Sequence, residues 1–251
     1  TEVDYVVYLK NPPRSDMPRE NSRWKYKVIP GRGLWVLTKL TKELWTRDRP
    51  DVCFTPSHYL PILVPMPKVC MITDLGYLEF SGQFRKFDYW QLRIWTAISL
   101  MISKYVIAIS ETTKKDIVRH YPFASKKINV VYLGANRSVT DAHFDKKNVQ
   151  QILDKYRISK NYIAFVSTLK PGKNIESLVE AFSRLESRKD YQFVIAGKKG
   201  WLYEEIFQKV KELELENSVI FTGFVTEEEK TVLLKNALAF IYPSLYEGFG
   251  L

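Results

Sequence analysis

The chain has 251 residues, of which 45% are hydrophobic and 14% aromatic, and its net charge is +10 at neutral pH. This composition excludes an intrinsically disordered chain, and the length suits one large domain or two ordinary ones. No run reaches the roughly 18 apolar residues that a membrane-spanning helix needs. Residues 1–137 carry 22 Lys and Arg against 12 Asp and Glu, whereas residues 138–251 carry 16 of each. We therefore expect the first half to meet an anionic partner: a membrane surface, a phosphorylated substrate or nucleic acid.

The first half alternates short apolar strands with helical segments. The predicted strands are "VDYVVYL", "DVCFTPS", "VCMITDL", "YVIAIS" and "INVVYLG". The predicted helices are "GLWVLTKLTKELWTR", "FDYWQLRIWTAISLMISK" and "ETTKKDIVRHY", the last capped by Ser110. Alternation of this kind is typical of an α/β domain.

The middle helix of these three is apolar all round, which favours burial in the core. Its flanks are basic and its centre carries two tryptophans: Arg85, Lys86, Arg93 and Lys104, with Trp90 and Trp95. That pattern is also typical of a helix lying at a membrane interface. Burial is the interpretation we favour from the sequence alone.

The second half is more regular. Its predicted strands are "NYIAFVST", "YQFVIAG", "SVIFTGFV" and "LAFIYPS", and its predicted helices are "IESLVEAFSRLESR", "WLYEEIFQKVKELEL" and "TEEEKTVLLKNA". Thr226 is the predicted N-cap of the last helix. Continuous apolar strands separated by short loops and amphipathic helices predict a parallel, doubly wound sheet with helices on both faces.

A polar, turn-rich stretch separates the two halves. We predict an α/β protein of two Rossmann-like, doubly wound parallel-sheet domains, over residues 1–137 and 161–251, joined by a linker at 138–160. Such pairs bind ligands at the carboxyl ends of their strands.

Four stretches occur in a characteristic order: "VSTLKPGKNIESLVEAF", "FVIAGKKGW", "VIFTGFVTEEE" and "YPSLYEGFGL". Together they resemble the retaining glycosyltransferases of the GT-B fold, of the group 1 or family 4 type. In the first half, "DVCFTPSHYLP", "VCMITDLGYLEF" and "VIAISETTKKDIVRHY" are similar to acceptor-domain segments of bacterial members. The resemblance implies an acceptor-side domain first and a nucleotide-sugar-binding domain second.

Two features of that family are absent from this sequence. Members carry a second Glu eight positions after the first Glu of the closing motif, and a first strand with a Gly-rich loop near the N-terminus. We therefore expect this chain to be a fragment of a longer enzyme, truncated in both domains, with the helices after "EGFGL" missing. By itself we expect it to be inactive and poorly soluble.

The resemblance implies transfer of a hexose from a nucleotide-diphosphate sugar to an acceptor hydroxyl with retention, in the synthesis of bacterial cell-surface polysaccharide or glycolipid. Negative charge then develops on the leaving diphosphate, where a fixed cation and backbone N–H groups stabilise it. By the same resemblance Glu247 is the catalytic residue that positions the donor sugar, and Lys173 pairs with the diphosphate. The remaining donor-side candidates are Gly248, Phe249, Gly250 and Leu251, through their backbone N–H groups, together with Thr168 and the main chain at Val225.

On the acceptor side, "ITDLG" ends a predicted strand with Thr73 and Asp74, where relatives often have His before the Asp. Threonine cannot act as a general base near neutral pH, but it can hydrogen-bond a sugar hydroxyl. Retaining chemistry of this type need not use a protein base, since the leaving phosphate can take the acceptor proton. His58 and Ser110, at the ends of two other strands, are further acceptor-side candidates.

No Asp-x-Asp occurs in the chain, so we predict no metal, and no cofactor beyond the donor itself. The basic first half fits an anionic, lipid-linked diphosphate sugar as acceptor, hence a cytoplasmic protein with peripheral contact at the inner face of the membrane. Three alternatives stay open: an epimerase or phosphorylase-like enzyme on the same fold, a catalytically degenerate sugar-nucleotide-binding relative, and a nucleic-acid-binding protein. The last lacks any recognisable module, and we expect no nucleic-acid partner.

Overall fold

The computed structural model describes residues 2–14, 17–46, 49–134 and 144–250. The chain divides into two units. The first comprises the described residues up to Leu133 together with those from Gly248 onward, and the second runs from Gly134 to Glu247. Within the described residues all pairs of neighbouring strands are parallel.

The first unit contains two sheets. Its strands are β1 (Tyr5–Leu9), β2 (Trp24–Val28), β3 (Cys53–Thr55), β4 (Lys68–Ile72), β5 (Tyr105–Ala108) and β6 (Ile128–Val130). Its α-helices are α1 (Thr41–Glu43), α2 (Gly76–Glu79), α3 (Lys86–Ile102) and α4 (Glu111–His120). A wide helical turn, Val36–Leu40, leads into α1, and 3₁₀ turns cover Ser81–Gln83 and Pro122–Lys127.

β1 and β2 pair only with each other, while the second sheet has the order β3-β4-β5-β6. The predicted strands of this half are therefore confirmed, but β2 ("WKYKV") is an element that the sequence analysis did not predict. The order β3 to β6 runs in one direction, so the reversal that defines double winding does not occur among the described strands of this unit.

The core of the first unit lies on one face of its larger sheet. Cys70 and Ile72 of β4 and Val106 and Ala108 of β5 point into it, as the two-residue period of a strand requires. Ser110 caps α4, as predicted, because its hydroxyl accepts the Thr113 N–H at 2.9 Å. This cap fixes where β5 ends and α4 begins.

Helix α3 is not buried all round, and here the sequence-based prediction is wrong. One face is buried through Thr96, Ser99 and Leu100, while Phe87 and Trp90 lie in solvent. On this buried face the Ser99 hydroxyl is satisfied within the protein, because Oγ donates to the His58 carbonyl at 2.6 Å. The apolar residues of this helix therefore do not by themselves show which of its faces packs against the core.

The second unit is a single four-stranded sheet with helices on both faces. Its strands are β7 (Asn161–Val166), β8 (Tyr191–Ala196), β9 (Val219–Gly223) and β10 (Ala239–Phe240). Its α-helices are α5 (Lys146–Lys155), α6 (Ile175–Ser183), α7 (Glu204–Glu212) and α8 (Glu227–Lys235), with 3₁₀ turns at Pro171–Lys173 and Arg188–Asp190.

Alternate residues along the strands separate two apolar clusters, one on each face of this sheet. Phe165, Phe193 and Ile195 pack with residues of α6 and α7, whereas Ala164 and Val194 pack in a second cluster with residues of α5 and α8. The sheet is therefore covered on both sides, which explains why its strands read as unbroken apolar runs. Its strand order, β10-β7-β8-β9, reverses between β7 and β10, as in a doubly wound sheet.

The predicted N-cap of α8 is confirmed as part of a capping box. Thr226 Oγ1 accepts the Glu229 N–H at 3.2 Å, and Glu229 Oε2 accepts the Thr226 N–H at 2.8 Å. Lys155 at the end of α5 donates to Glu229 Oε1 at 2.5 Å, which ties α5 to α8. Helix α5 is therefore an integral part of the second unit, whereas the sequence analysis placed it in the linker 138–160.

Candidate functional site: a lysine–glutamate pair in the second unit

The reversal of strand order in the second unit places the loops after β7 and β10 side by side. In a doubly wound sheet, ligands bind at this position, outside the carboxyl ends of the strands. Two hydrogen bonds join these loops: Leu245 N–H to the Gly172 carbonyl at 3.1 Å, and Asn174 Nδ2 to the Pro243 carbonyl at 3.4 Å. The segment "KPGKN" after β7 is thus held against the segment "YPSLYEG" after β10.

The loop after β7 turns sharply into α6. Pro171–Lys173 forms a 3₁₀ turn, and Asn174 then adopts a left-handed conformation with φ 57°. Asparagine tolerates this region better than most residues, because its short side chain can bond locally; Asn174 Oδ1 accepts from the Ser177 hydroxyl at 2.7 Å. The turn directs Lys173 toward the neighbouring loop.

Lys173 is buried, and its ammonium group donates hydrogen bonds to two side chains of the neighbouring loop. Nζ donates to the Tyr242 hydroxyl at 2.5 Å and to Oε1 of Glu247, with which it forms an ion pair. Nζ also lies 4.8 Å from the centroid of the Tyr242 ring. The two residues that the resemblance assigns to the diphosphate and to the donor sugar are therefore in direct contact.

The pair is ionised in this arrangement. Burial alone would lower the pKa of Lys173, but the hydrogen bonds that it donates to Glu247 and Tyr242 outweigh this effect, so the pKa is raised. Burial likewise acts to raise the pKa of Glu247, and the Lys173 ammonium overrides it, so that pKa is lowered. At neutral pH the site thus presents a buried ammonium beside a carboxylate, a combination suited to an anion with hydroxyl groups nearby.

Tyr242 is a site residue that the sequence analysis missed. Its ring stacks on Phe165 of β7, with centroids 5.7 Å apart and planes 18° apart, and on Phe240 of β10 at 5.8 Å. Stacking on both strands holds the hydroxyl beside Lys173. In the sequence, Tyr242 is marked only by its position two residues beyond the last strand. Its contact with Lys173 becomes apparent only once β10 is known to lie next to β7.

The loop after β8 lies against the loop after β7. Leu169 N–H donates to the Lys198 carbonyl, and Gly200 N–H donates to the Leu169 carbonyl at 2.9 Å. At Gly197, with φ +151°, a Cβ would lie 1.7 Å from the Ser167 carbonyl oxygen. Thr168 lies within this junction, its methyl group 3.0 Å from where a Cβ of Gly200 would be.

Val225 and the lysines after β8 also lie near the ends of strands in the second unit. The Val225 side chain is buried in the cluster with Leu233, so only its main chain remains for the contact with a base that the resemblance implies. Lys199 Nζ lies 4.8 Å and 5.0 Å from the ring centroids of Tyr203 and Phe207. Lys199 therefore lies over aromatic rings of its own loop and helix.

The glycines of "EGFGL" belong to the first unit and serve two different purposes. A Cβ on Gly248 would lie 1.9 Å from the Thr73 carbonyl oxygen, so Gly248 is required by close approach. Gly250 instead has φ +87°, a backbone conformation that favours glycine. Phe249 lies 6.0 Å from Tyr132 between ring centroids. Leu251 lies outside the described residues.

The acceptor-side candidates Thr73 and Ser110 meet at Gly248. The Ser110 hydroxyl donates to the Gly248 carbonyl, and Thr113 Oγ1 donates to the same oxygen and to the Thr73 carbonyl, both at 3.2 Å. The Ser110 hydroxyl is thus already engaged as donor and, in the helix cap, as acceptor. A sugar hydroxyl would have to compete with these bonds.

His58 and Asp74 are the other two acceptor-side candidates. Asp74 Oδ1 accepts the Gly76 N–H at 2.9 Å at the start of α2. Burial lowers the pKa of His58, against the opposing charge of Asp74, so the imidazole is neutral at pH 7. His58 Nε2 is buried without a hydrogen-bond partner in the structure. Among the described residues, no group of three or more His, Cys, Asp or Glu side chains could hold a metal ion.

Comparison of the structure with known structures identifies the class of fold. The crystal structure of Anabaena HepE in complex with UDP and glucose superposes with a TM-score of 0.69 at 17% sequence identity, covering 90% of this chain and 63% of that one. The α/β architecture with parallel sheets is therefore that of the GT-B glycosyltransferases, as the sequence predicted.

The sequence comparisons show similarity to sugar transferases. Residues 146–251, a range that includes Lys173 and Glu247, match the model of the glycosyl transferases group 1 family. O-antigen chain mannosyltransferase B of Escherichia coli is 28% identical over 156 residues, which are 61% of this chain and 40% of the relative.

A second relative aligns over nearly the whole sequence. The N-acetylgalactosamine-N,N'-diacetylbacillosaminyl-diphospho-undecaprenol 4-alpha-N-acetylgalactosaminyltransferase of Campylobacter jejuni is 29% identical over 246 residues, covering 93% of this chain and 60% of the relative. The chain thus spans between two fifths and three fifths of the length of these two relatives.

Proposed function

We propose that the protein to which this chain belongs transfers a hexose from a nucleotide-diphosphate sugar to an acceptor hydroxyl, with retention of configuration, in the synthesis of bacterial cell-surface polysaccharide or glycolipid. The observation that carries this proposal is the ion pair between Lys173 and Glu247 at the strand-order reversal of a unit that matches the glycosyl transferases group 1 model. Both relatives described above are named as sugar transferases, which supports a transferase over an epimerase.

The pair suggests how the chemistry is divided. The Lys173 ammonium neutralises charge that develops on the leaving diphosphate, where a fixed cation in a buried site is most effective. The Glu247 carboxylate accepts hydrogen bonds from hydroxyl groups of the donor sugar and so orients the anomeric carbon. When the diphosphate binds, the Lys173 ammonium contacts two anionic groups, the diphosphate and the Glu247 carboxylate. Its hydrogen bond to the Tyr242 hydroxyl helps to hold the ammonium in place.

A lipid-linked diphosphate sugar is the acceptor that we propose. The Campylobacter relative is named for an undecaprenol-diphosphate-linked acceptor, and the excess positive charge of residues 1–137 suits an anionic ligand. Thr73, Asp74, His58 and Ser110 lie at or just beyond the carboxyl ends of strands β3, β4 and β5, where they would meet the acceptor sugar. The protein would then work at the cytoplasmic face of the membrane.

The test measures binding of nucleotide sugars to the full-length protein by titration calorimetry, with UDP-, GDP- and ADP-linked hexoses as probes. We expect one of them to bind, and Lys173→Met to weaken its affinity about tenfold or more, because a charge-assisted hydrogen bond is removed. Lys173→Arg should retain most of the affinity. Lys211→Met, which removes an exposed lysine of α7, is the matched control and should have no effect.

The alternatives differ in product. A transferase, assayed as the full-length protein with the donor and a lipid-linked diphosphate sugar, releases a nucleoside diphosphate and yields a glycoside whose anomeric configuration, read by NMR, matches the donor. An epimerase converts the nucleotide sugar without any acceptor, and a degenerate relative binds it without turnover. Activity that persists in EDTA would support metal independence; failure of all three nucleotide sugars to bind would refute the proposal.

A further inference from the structure

Helix α3 carries a row of large apolar side chains on the face turned away from the core. Phe87, Trp90, Ile94 and Met101 are 77%, 54%, 53% and 65% exposed. Their spacings of three, four and seven residues place them on one side of the helix. Thr96, Ser99 and Leu100 lie on the opposite, buried side. A contiguous exposed row of this kind is unusual on a soluble surface and marks an interaction site.

The borders of this apolar row are basic. Arg85 and Lys86 begin the helix, Lys104 follows its end, and Arg93 lies beside the row with its guanidinium carbon 5.3 Å from the centroid of the Trp90 ring. Within α3 the one acidic residue is Asp88. The first half of the sequence, to which α3 belongs, also carries the entire net charge of the protein.

The C-terminal end of α3 carries further positive charge. Lys127 Nζ donates to the carbonyl oxygens of Met101 and Ser103 at 2.9 and 3.0 Å, which caps the C-terminus of α3 with a cation. Lys126 is exposed beside it. Burial lowers the pKa of Lys127, and the nearby Cys70 acts to raise it.

We propose that α3 is a membrane-docking helix that lies in the plane of an anionic lipid surface, with Phe87, Trp90, Ile94 and Met101 inserted among the acyl chains and the flanking basic residues at the headgroups. A helix of this type combines an apolar face, tryptophan and a basic border. The charge complementarity selects lipid over a neutral protein partner, because anionic headgroups attract each nearby Lys or Arg. No helix of the described chain has the length and hydropathy to cross a membrane, and docking requires none.

This inference does not depend on the proposed sugar transfer. The apolar row provides the insertion, and its contribution should be insensitive to salt; the basic border provides the attraction to anionic lipid, which should weaken as salt screens it. A membrane contact therefore predicts two separable effects, one for each set of residues. A protein–protein contact through the apolar row predicts the first effect without any dependence on lipid charge.

The experiment is sedimentation of the full-length protein with vesicles of phosphatidylcholine alone and of phosphatidylcholine mixed with phosphatidylglycerol, with a sample free of vesicles as the blank. We expect binding to the mixed vesicles only, decreasing with added salt. The double variant Trp90→Ser with Ile94→Ser should lower vesicle affinity by about tenfold or more, because two large apolar groups no longer leave water. Arg85→Gln with Lys86→Gln should abolish most of the preference for phosphatidylglycerol.

Phe87→Ser and Phe224→Ser form a matched pair, since both phenylalanines are 77% exposed but only Phe87 lies on α3. Phe87→Ser should weaken vesicle binding, and Phe224→Ser should leave it unchanged. Circular dichroism should show all variants folded, because none of these side chains is buried. The proposal is overturned if the full-length protein does not bind mixed vesicles. It is also overturned if both phenylalanine variants behave alike, or if light scattering shows a dimer that Trp90→Ser dissociates and vesicles do not compete with.

Discussion

Lys173 Nζ and the Tyr242 hydroxyl lie 2.5 Å apart, although 69 residues separate them in the sequence. Their contact exists because β10 pairs with β7 and not with β9, the strand that precedes it in the chain. The ammonium group is thereby aimed at the position where ligands bind to a doubly wound sheet. The same bond gives the tyrosine a testable role.

Tyr242→Phe should keep the stacking on Phe165 and remove one acceptor from Lys173. We expect the affinity for the nucleotide-diphosphate sugar to fall about tenfold or more, since hydrogen bonds to charged groups contribute about 1.5 kcal/mol or somewhat more. The matched control is Tyr162→Phe, which removes a hydrogen bond to the Leu233 carbonyl at 2.8 Å, within the core. That variant should lower thermal stability without altering the affinity, and equal losses of affinity in both would contradict the role assigned to Tyr242.

Glu247→Gln should distinguish the role of Glu247 in positioning the donor sugar for reaction from any role in binding that sugar. The amide retains the size of the side chain but not its charge, so Lys173 keeps a partner while the sugar loses its anionic anchor. Under the proposed function we expect kcat to fall about a hundredfold or more, the usual cost of a misplaced reacting group, with a smaller change in KM. Glu180→Gln, which removes an exposed partner of Lys209 at 3.2 Å, should leave both constants unchanged.

Much of the second unit could be predicted from the sequence because local patterns determined it. Strands β7 and β8 are apolar at nearly every position because both faces of the sheet are covered, and Thr226 with Glu229 forms a capping box whose two residues stand three apart in the sequence. The residues Lys173 and Glu247 were found through a family resemblance. Tyr242 was not, because no local pattern shows which strand will neighbour β10.

The first unit shows a different limit. The apolar residues of α3 run all round the helix, so no local pattern indicated which of them the core would cover; the structure buries Thr96 and Ser99 and exposes Trp90. The structure divides the chain between Leu133 and Gly134 and packs α5 against α8 in the second unit, and a polar stretch in the sequence does not show that packing. Strand β2 alternates Trp, Lys, Tyr, Lys and Val, and its pairing with β1 is again non-local.

Gly197→Ala tests the junction between the loops after β7 and β8. A Cβ there would lie 1.7 Å from the Ser167 carbonyl oxygen, in a backbone conformation with φ +151° that other residues rarely adopt. Because backbone and not a flexible side chain is in the way, we expect a loss of at least about 2 kcal/mol in the free energy of unfolding. Gly82→Ala, which meets nothing within 4 Å, is the control in chemical denaturation. Similar midpoints for the two variants would show that the junction rearranges freely.

The capping box of α8 gives a stability prediction with a pH dependence. The Lys155 ammonium, which outweighs the opposing effect of burial, lowers the pKa of Glu229 from 4.5 to about 2, and the Thr226 N–H assists it. Since the folded-state pKa is depressed, the contribution of Glu229 is fully present above pH 4.5 and is lost as the pH falls toward 2. Glu229→Gln should therefore be less stable than the parent protein at pH 7, and the difference should narrow below pH 4.5. Thr226→Ala should cost about 1 kcal/mol at every pH, and Thr226→Ser much less, because the hydroxyl is kept. Urea denaturation at pH 7 and at pH 3 measures both effects. A gap between the parent and Glu229→Gln that stays constant or widens in acid would show that Glu229 contributes through its packing and not through its charge.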